Sequence, residues 1–175
     1  MTSDGGGLLL RELNQRLGLL DRLAGCFSDY RNPNAIEHSV ATLVAQSVYG
    51  LALGYEGLND HDVLRKDSVL ALLVGKQDLT GEARVRDQDR GNPLAGSNTL
   101  NRLELRTPES AATDRYKRIA ADPDALDRLL VDVFLESHRK PPREIWLDLD
   151  ATDDPLHGHQ EARFFHGYYH CANKN

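Results

Sequence analysis

The residues best suited to chemistry lie near position 150, where the apolar run Ile145, Trp146 and Leu147 passes into Asp148, Leu149, Asp150, Ala151, Thr152, Asp153 and Asp154. Read as a strand over Ile145–Leu149, the alternation of side chains puts Trp146, Asp148 and Asp150 on one face. Two carboxylates held together repel, so they tend to take up a proton or to share a cation. A hard ion such as Mg²⁺ or Mn²⁺ takes oxygen ligands of this kind, which makes Asp148 and Asp150 candidate metal ligands and catalytic acids. The plainer reading is a strand end whose aspartates face solvent, followed by an Asp-Asp-Pro turn.

Two other groups invite a function. His157, His159 and His166 follow the carboxylates, and imidazoles beside carboxylates can hold Zn²⁺ or Fe²⁺, but the spacing matches no closed site and their role stays open. Arg102 and Arg106 stand four apart on a helix predicted after Ser97, with Asn98 and Asn101 beside them and Arg84, Arg86 and Arg90 in the loop before. Such a helix suits phosphates and base edges, as in helix-turn-helix modules. Its alternative is a solvated face partly balanced by Glu104 and Asp87.

Helices must carry most of the scaffold. Leu9, Leu13, Leu17, Leu20 and Leu23 recur at helical steps across a break at Gly18. Asn34 with Glu37 resembles a capping box for a helix whose stripe runs from Ile36 through Val40, Leu43, Val44 and Val48 to Gly54. Asn59 and Asp60 are expected to cap a short helix through Leu64, and Asp67 and Ser68 another that Gly75 closes. The polar stretch 76–95 reads as a loop, and Ser97 as the cap of a helix over Asn98–Leu105. A last helix runs from Pro123 to His138, with Leu126, Leu129, Leu130, Val133 and Phe134 on one face. Ile145–Leu149 is then the one strong strand, and Phe164, Phe165, Tyr168 and Tyr169 are its only candidate partners downstream. The expected architecture is mostly α: a helical module over residues 1–140, then the opening strands of an α/β domain over 141–175.

Composition narrows the function further. A net charge of −6 argues against coating nucleic acid non-specifically, which needs positive surface, though a local basic patch remains possible. No stretch approaches the roughly 18 apolar residues of a membrane span, and the start lacks a signal peptide, so a cytoplasmic chain without membrane contact is expected. Cys26 and Cys171 form no ligand spacing, and Cys26 reads as a small core residue at a helix end.

The run Leu147 to Glu161, followed by Phe164 to Tyr169, resembles the DDE transposases of bacterial insertion sequences. The stretches Ile36–Val40, Tyr49–Glu56, Leu58–Asp62 and Leu100–Glu104 extend that resemblance to residues 5–170. It implies an RNase H-like domain in which three acids bind two divalent ions, Mg²⁺ or Mn²⁺, for in-line phosphoryl displacement on DNA. Carried over by position, Asp150 matches the first acid and Asp148 is the alternative. DNA carrying terminal inverted repeats is the implied partner, and a homo-oligomer is left open. The family places its second Asp and its Glu beyond position 175, so the resemblance implies a truncated, incomplete catalytic domain, inactive alone.

Two other functions fit some of the same residues. One is a stand-alone DNA-binding or oligomerising helical module without catalysis. The other, more remote, is a fragment of a haloacid dehalogenase-type phosphatase, in which Asp148 would be nucleophile and Asp150 general acid. Such phosphatases carry that motif near their start, and here it lies near the end.

Overall fold

Glycines and short polar caps divide the N-terminal part of the chain into helices. The computed structural model describes residues 3–103, 107–140, 142–147, 163–166 and 171–174, so Arg106, Asp148 and Asp150 lie outside the described residues. Helix α1 (Gly7–Leu17) stops at Gly18, whose φ of 62° is the left-handed conformation that glycine adopts without a Cβ clash, and α2 (Leu19–Ala24) restarts at once. Helix α3 (Val40–Ala52) ends before Gly54, α4 (His61–Leu64) is a single turn, and α5 (Ser68–Leu73) ends before Gly75. Beyond both glycines the chain folds back: Tyr55 N–H donates to the Gly50 carbonyl and Lys76 N–H to that of Ala71, which satisfies carbonyls the helices leave open. Next come α6 (Ser97–Leu100), α7 (Pro108–Thr113) and α8 (Pro123–Glu136). Asp67 caps α5 and Asp122 caps α8, accepting from Leu70 N–H and Ala125 N–H, each cap contributing about 1 kcal/mol. Among the described residues no helix is long and apolar enough to cross a membrane.

The chain is mostly α, as its patterning predicts, and its described residues hold two small antiparallel strand pairs. Strand β1 (Phe27–Asp29) pairs with β2 (Ile119–Ala121) in the register Phe27 to Ala121 and Asp29 to Ile119. Strand β3 (Arg163–His166) pairs with β4 (Cys171–Lys174), so Phe164 and Phe165 face Asn173 and Ala172 across the ladder. Glu144 to Leu147 carry no strand pairing, and Trp146 is 90% exposed. The part of the expected strand that is described is therefore not one; an apolar run without a ladder partner has no means of satisfying its backbone groups as a strand. Two compact units divide the chain, Met1–Ser137 and His138–Asn175.

Several expected helix ends move. The cap of α3 is Ser39, whose hydroxyl accepts from Thr42 N–H at 3.2 Å, because Asn32 and Pro33 close a separate 3-10 turn over Pro33–Ala35 and leave Asn34 inside it. Asp60 reaches back to Gly57 N–H at 3.1 Å instead of capping forward. Ser97 is the first residue of α6, and its N–H and hydroxyl both go to Asp62. Helix α7, capped by Thr107, is an addition to the expected elements. On α8, Leu129 is buried but Leu130 is 70% exposed, so only part of the expected apolar face meets the core.

Helix α3 is the axis of the first unit. Ala45 and Tyr49 pack with Leu20, Leu64, Leu70, Leu73 and Leu94, while Leu43 packs with Ala95, Leu100 and Ile119. Burial of each such leucine stabilises the fold by roughly 1.5–3 kcal/mol. Between the two clusters sits Gln46, 0% exposed, whose amide donates to the Ala95 carbonyl at 2.7 Å and accepts from Ala95 N–H at 3.0 Å.

The loop 76–95 carries no helix longer than a 3-10 turn at Asp87–Asp89, yet it is densely hydrogen-bonded. Asp78 accepts from the backbone N–H groups of Thr80, Gly81 and Ala83. Gly81 has a φ of 77°, and a Cβ there would stand 2.6 Å from the Pro93 nitrogen. Gly91 has the same φ of 77° in open space. Gly81→Ala is therefore expected to cost roughly 2–4 kcal/mol in urea unfolding and Gly91→Ala about 1 kcal/mol. Equal losses would show that the close approach of the two loop arms contributes nothing.

Candidate functional site

The loop, α4, α6 and the segment before α3 enclose a polar cleft of about 510 Å³. Ile36, Glu37 and His38 line it from the segment before α3, and Asp62 and Arg65 from α4 and its end. The loop adds Arg84, Val85, Arg86, Gln88, Asp89, Asn92, Leu94 and Ala95, and Gly96, Asn98, Thr99 and Arg102 complete the lining. Asp62 fixes the start of α6, because its carboxylate accepts from Ser97 N–H at 2.9 Å and from the Ser97 hydroxyl at 2.8 Å. Those two bonds hold the Asp62 carboxyl below the usual carboxylate range. A Cβ on Gly96 would stand 2.9 Å from Asp62 Oδ1, so this joint needs a glycine for space.

Of the residues singled out from the sequence for DNA contact, Asn98 and Arg102 line the cleft. Asn101 is exposed on the 3-10 turn Asn101–Leu103, and Arg106 lies outside the described residues. Arg84 and Arg86 also line it, whereas Arg90 pairs with Asp87 at 3.0 Å. Sequence reasoning passed over Arg31, His38 and Arg65. A signal was available, since Ile36–Val40, Leu58–Asp62 and Leu100–Glu104, three of the stretches behind the family resemblance, each contribute lining residues. Asp148, Asp150 and the histidines 157 and 159 lie outside the described residues, and nothing is described of the His166 side chain. Among the described residues no cluster of three His, Cys, Asp or Glu is arranged to hold a metal ion.

Arg84 organises the floor of the cleft. One terminal nitrogen approaches His38 Nε2 at 2.8 Å and donates to the Asn92 carbonyl at 2.9 Å; the other donates to Glu37 Oε2 at 2.9 Å, with Asp89 3.8 Å away. A guanidinium only donates, so His38 Nε2 must accept and the imidazole proton must sit on Nδ1. Burial pushes the His38 imidazole down to about 3, and the positive charges of Lys76, Arg84 and Arg31 act in the same direction. His38 is 5% exposed, and its Nδ1 has no partner among the described residues. An unfolded chain would protonate His38 near its ordinary 6.5 and the folded one only near 3, so between those values the unfolded state binds the extra proton. The contribution of neutral His38 is complete above pH 6.5 and is lost as pH falls toward 3, at up to about 1.4 kcal/mol per pH unit. Urea unfolding between pH 7.5 and 5 should thus show a stability slope that His38→Gln reduces by about 1 kcal/mol per pH unit, with buried His61 supplying part of the remainder. Identical slopes would mean that His38 does not stay neutral.

No curated protein and no solved structure matches the chain. The family model described as transposase DDE domain group 1 matches residues 1–173, and the chain belongs to that family of DDE transposases.

Proposed function

We propose that this chain acts in DNA transposition as a metal-dependent transposase component whose substrate is DNA bearing an element's terminal inverted repeats. Membership of the DDE transposase family over residues 1–173 carries the reading. The family's use of divalent metal suits the donor set at 148–154, which is made of hard carboxylate oxygens. Asp150, with Asp148 beside it, would hold Mg²⁺ or Mn²⁺ as the first acid of an RNase H-like site. Bound there, the ion would polarise a phosphoryl group and stabilise charge on attacking and leaving oxygens. Asp150 supplies oxygen ligands and negative charge; Asn98, Asn101, Arg102 and Arg106 engage the DNA. The Asp-x-Asp-x-Thr string of the phosphatases gains no support from the comparisons.

A second reading, a DNA-binding module without catalysis, is favoured by the arginine-lined cleft in the helical unit. Manganese binding separates the two. Titrated with Mn²⁺ and followed by electron paramagnetic resonance, the wild-type chain should bind the ion, Asp150→Asn at least tenfold more weakly, and Asp148→Asn with a smaller loss. Asp150→Asn should leave binding of element-end DNA in a gel shift unchanged. Equal Mn²⁺ affinity in wild type and Asp150→Asn would remove the metal role, and no preference for element-end over random DNA would remove the transposition reading.

A further inference from the structure

We propose that the arginine cleft is a docking site for DNA backbone phosphate, so that the helical unit positions the duplex there instead of reading its bases. This rests on the reading of the chain as a DNA-acting transposase component and names what the cleft would grip.

Three observations converge. The first is uncommitted positive charge. Arg31 is held by Asp29 at 2.6 Å and Arg84 by Glu37, but among the described residues Arg86 and Arg102 make no ion pair with a carboxylate, and Arg65 interacts with Asp62 only at longer range. Guanidinium groups match phosphate with two parallel donors, which makes Arg the side chain best suited to this ligand. The second is an unfilled set of donors. Buried atoms without a partner on the cleft residues are His38 Nδ1, Arg65 Nε and Arg84 Nε, with Asn92 Oδ1 the one acceptor among them. His38 has its proton on Nδ1 for the reason given above, so three of these four unpartnered atoms are donors, a balance that is complementary to an anion.

The third observation concerns the helix. Among the described residues α6 spans only Ser97–Leu100 before tightening into the 3-10 turn Asn101–Leu103. One turn of α-helix is too short to lie along a major groove, whereas Arg102 at its end can reach a phosphate. Contacts of that kind fix orientation and register without carrying sequence information.

The test compares Arg86→Ala/Arg102→Ala with wild type and with a control that removes two arginines elsewhere, Arg16→Ala/Arg115→Ala. Fluorescence anisotropy would follow binding to an element-end duplex and a shuffled duplex over a salt series, after thermal melts confirm that each variant folds. The cleft variant should lose affinity for both duplexes by the same factor, about tenfold or more, and its log–log salt slope should fall by about 2, while the control stays within about twofold. Loss confined to the element-end duplex with an unchanged slope would mean base reading and overturn the proposal. So would a cleft variant that binds like wild type, which would leave the transposition reading standing. ATP and inorganic pyrophosphate serve as the free-phosphate arm; displacement of the duplex by either at micromolar concentration would assign the cleft to a small phosphate ligand and overturn the DNA assignment. If the wild-type chain binds neither duplex, the transposition reading fails first and takes this one with it.

Discussion

The side-chain amide of Gln46 is the interaction on which the helical unit depends. It treats Ala95 as a strand would, donating to its carbonyl and accepting from its N–H, in a position with no exposure to solvent. Each bond is worth only about 1 kcal/mol net, but removing the amide would leave two backbone groups buried and unpaired at about 1–3 kcal/mol apiece. That asymmetry pins the end of a long irregular loop to the central helix. Leu94 then falls into the cluster around Tyr49, and Ala95 into the cluster around Leu43. Gly96 is brought against Asp62, and the wall of the cleft follows from there.

The same amide settles the state of one histidine. Gln46 Nε2 lies 3.2 Å from His61 Nδ1, and since an amide nitrogen only donates, His61 must accept there and carry its proton on Nε2. His38 is the mirror case, accepting on Nε2 from Arg84 and carrying its proton on Nδ1. Both rings are buried, and burial lowers the pKa of each. The difference lies in what surrounds them: Asp60 and Asp62 oppose the shift at His61, whereas Lys76, Arg84 and Arg31 deepen it at His38. His38 is thereby a neutral donor set among cations, an arrangement that suits the approach of negative charge.

Local signals were the legible part of this chain. Asp67, Pro123, Gly18, Gly54 and Gly75 act within one turn of their own positions, and each does in the structure what its residue type suggests. Asn34 and Ser97 misled for the opposite reason, since Pro33 and Asp62 redirect the local chemistry. The pairing of β1 with β2 joins three-residue segments some 90 positions apart (Phe27 with Ala121), and a run as short as Ile-Ala-Ala carries no period that could announce it. The cleft was half legible. Arg102 and Asn98 stood out by type and spacing, but Arg31, His38 and Arg65 become neighbours only because Gln46 and Arg84 fold the loop back across the helix ends.

Net charge says little about a single cleft. A formal charge of −6 argues against coating nucleic acid non-specifically but leaves room for a local basic patch, and the cleft lining carries Arg31, Arg65, Arg84, Arg86 and Arg102 against Glu37, Asp62 and Asp89. Those three carboxylates are also the committed ones: Glu37 and Asp89 face Arg84, and Asp62 holds Ser97. Five guanidiniums against three carboxylates leave the lining with an excess of positive charge, which sets the sign of the field inside the cleft. At physiological salt, fields are screened over about 8 Å. An approaching phosphate therefore responds to this local excess and little to the acids elsewhere on the surface. The same carboxylates that lower the total charge of the chain build the scaffold that concentrates its positive charge in one place.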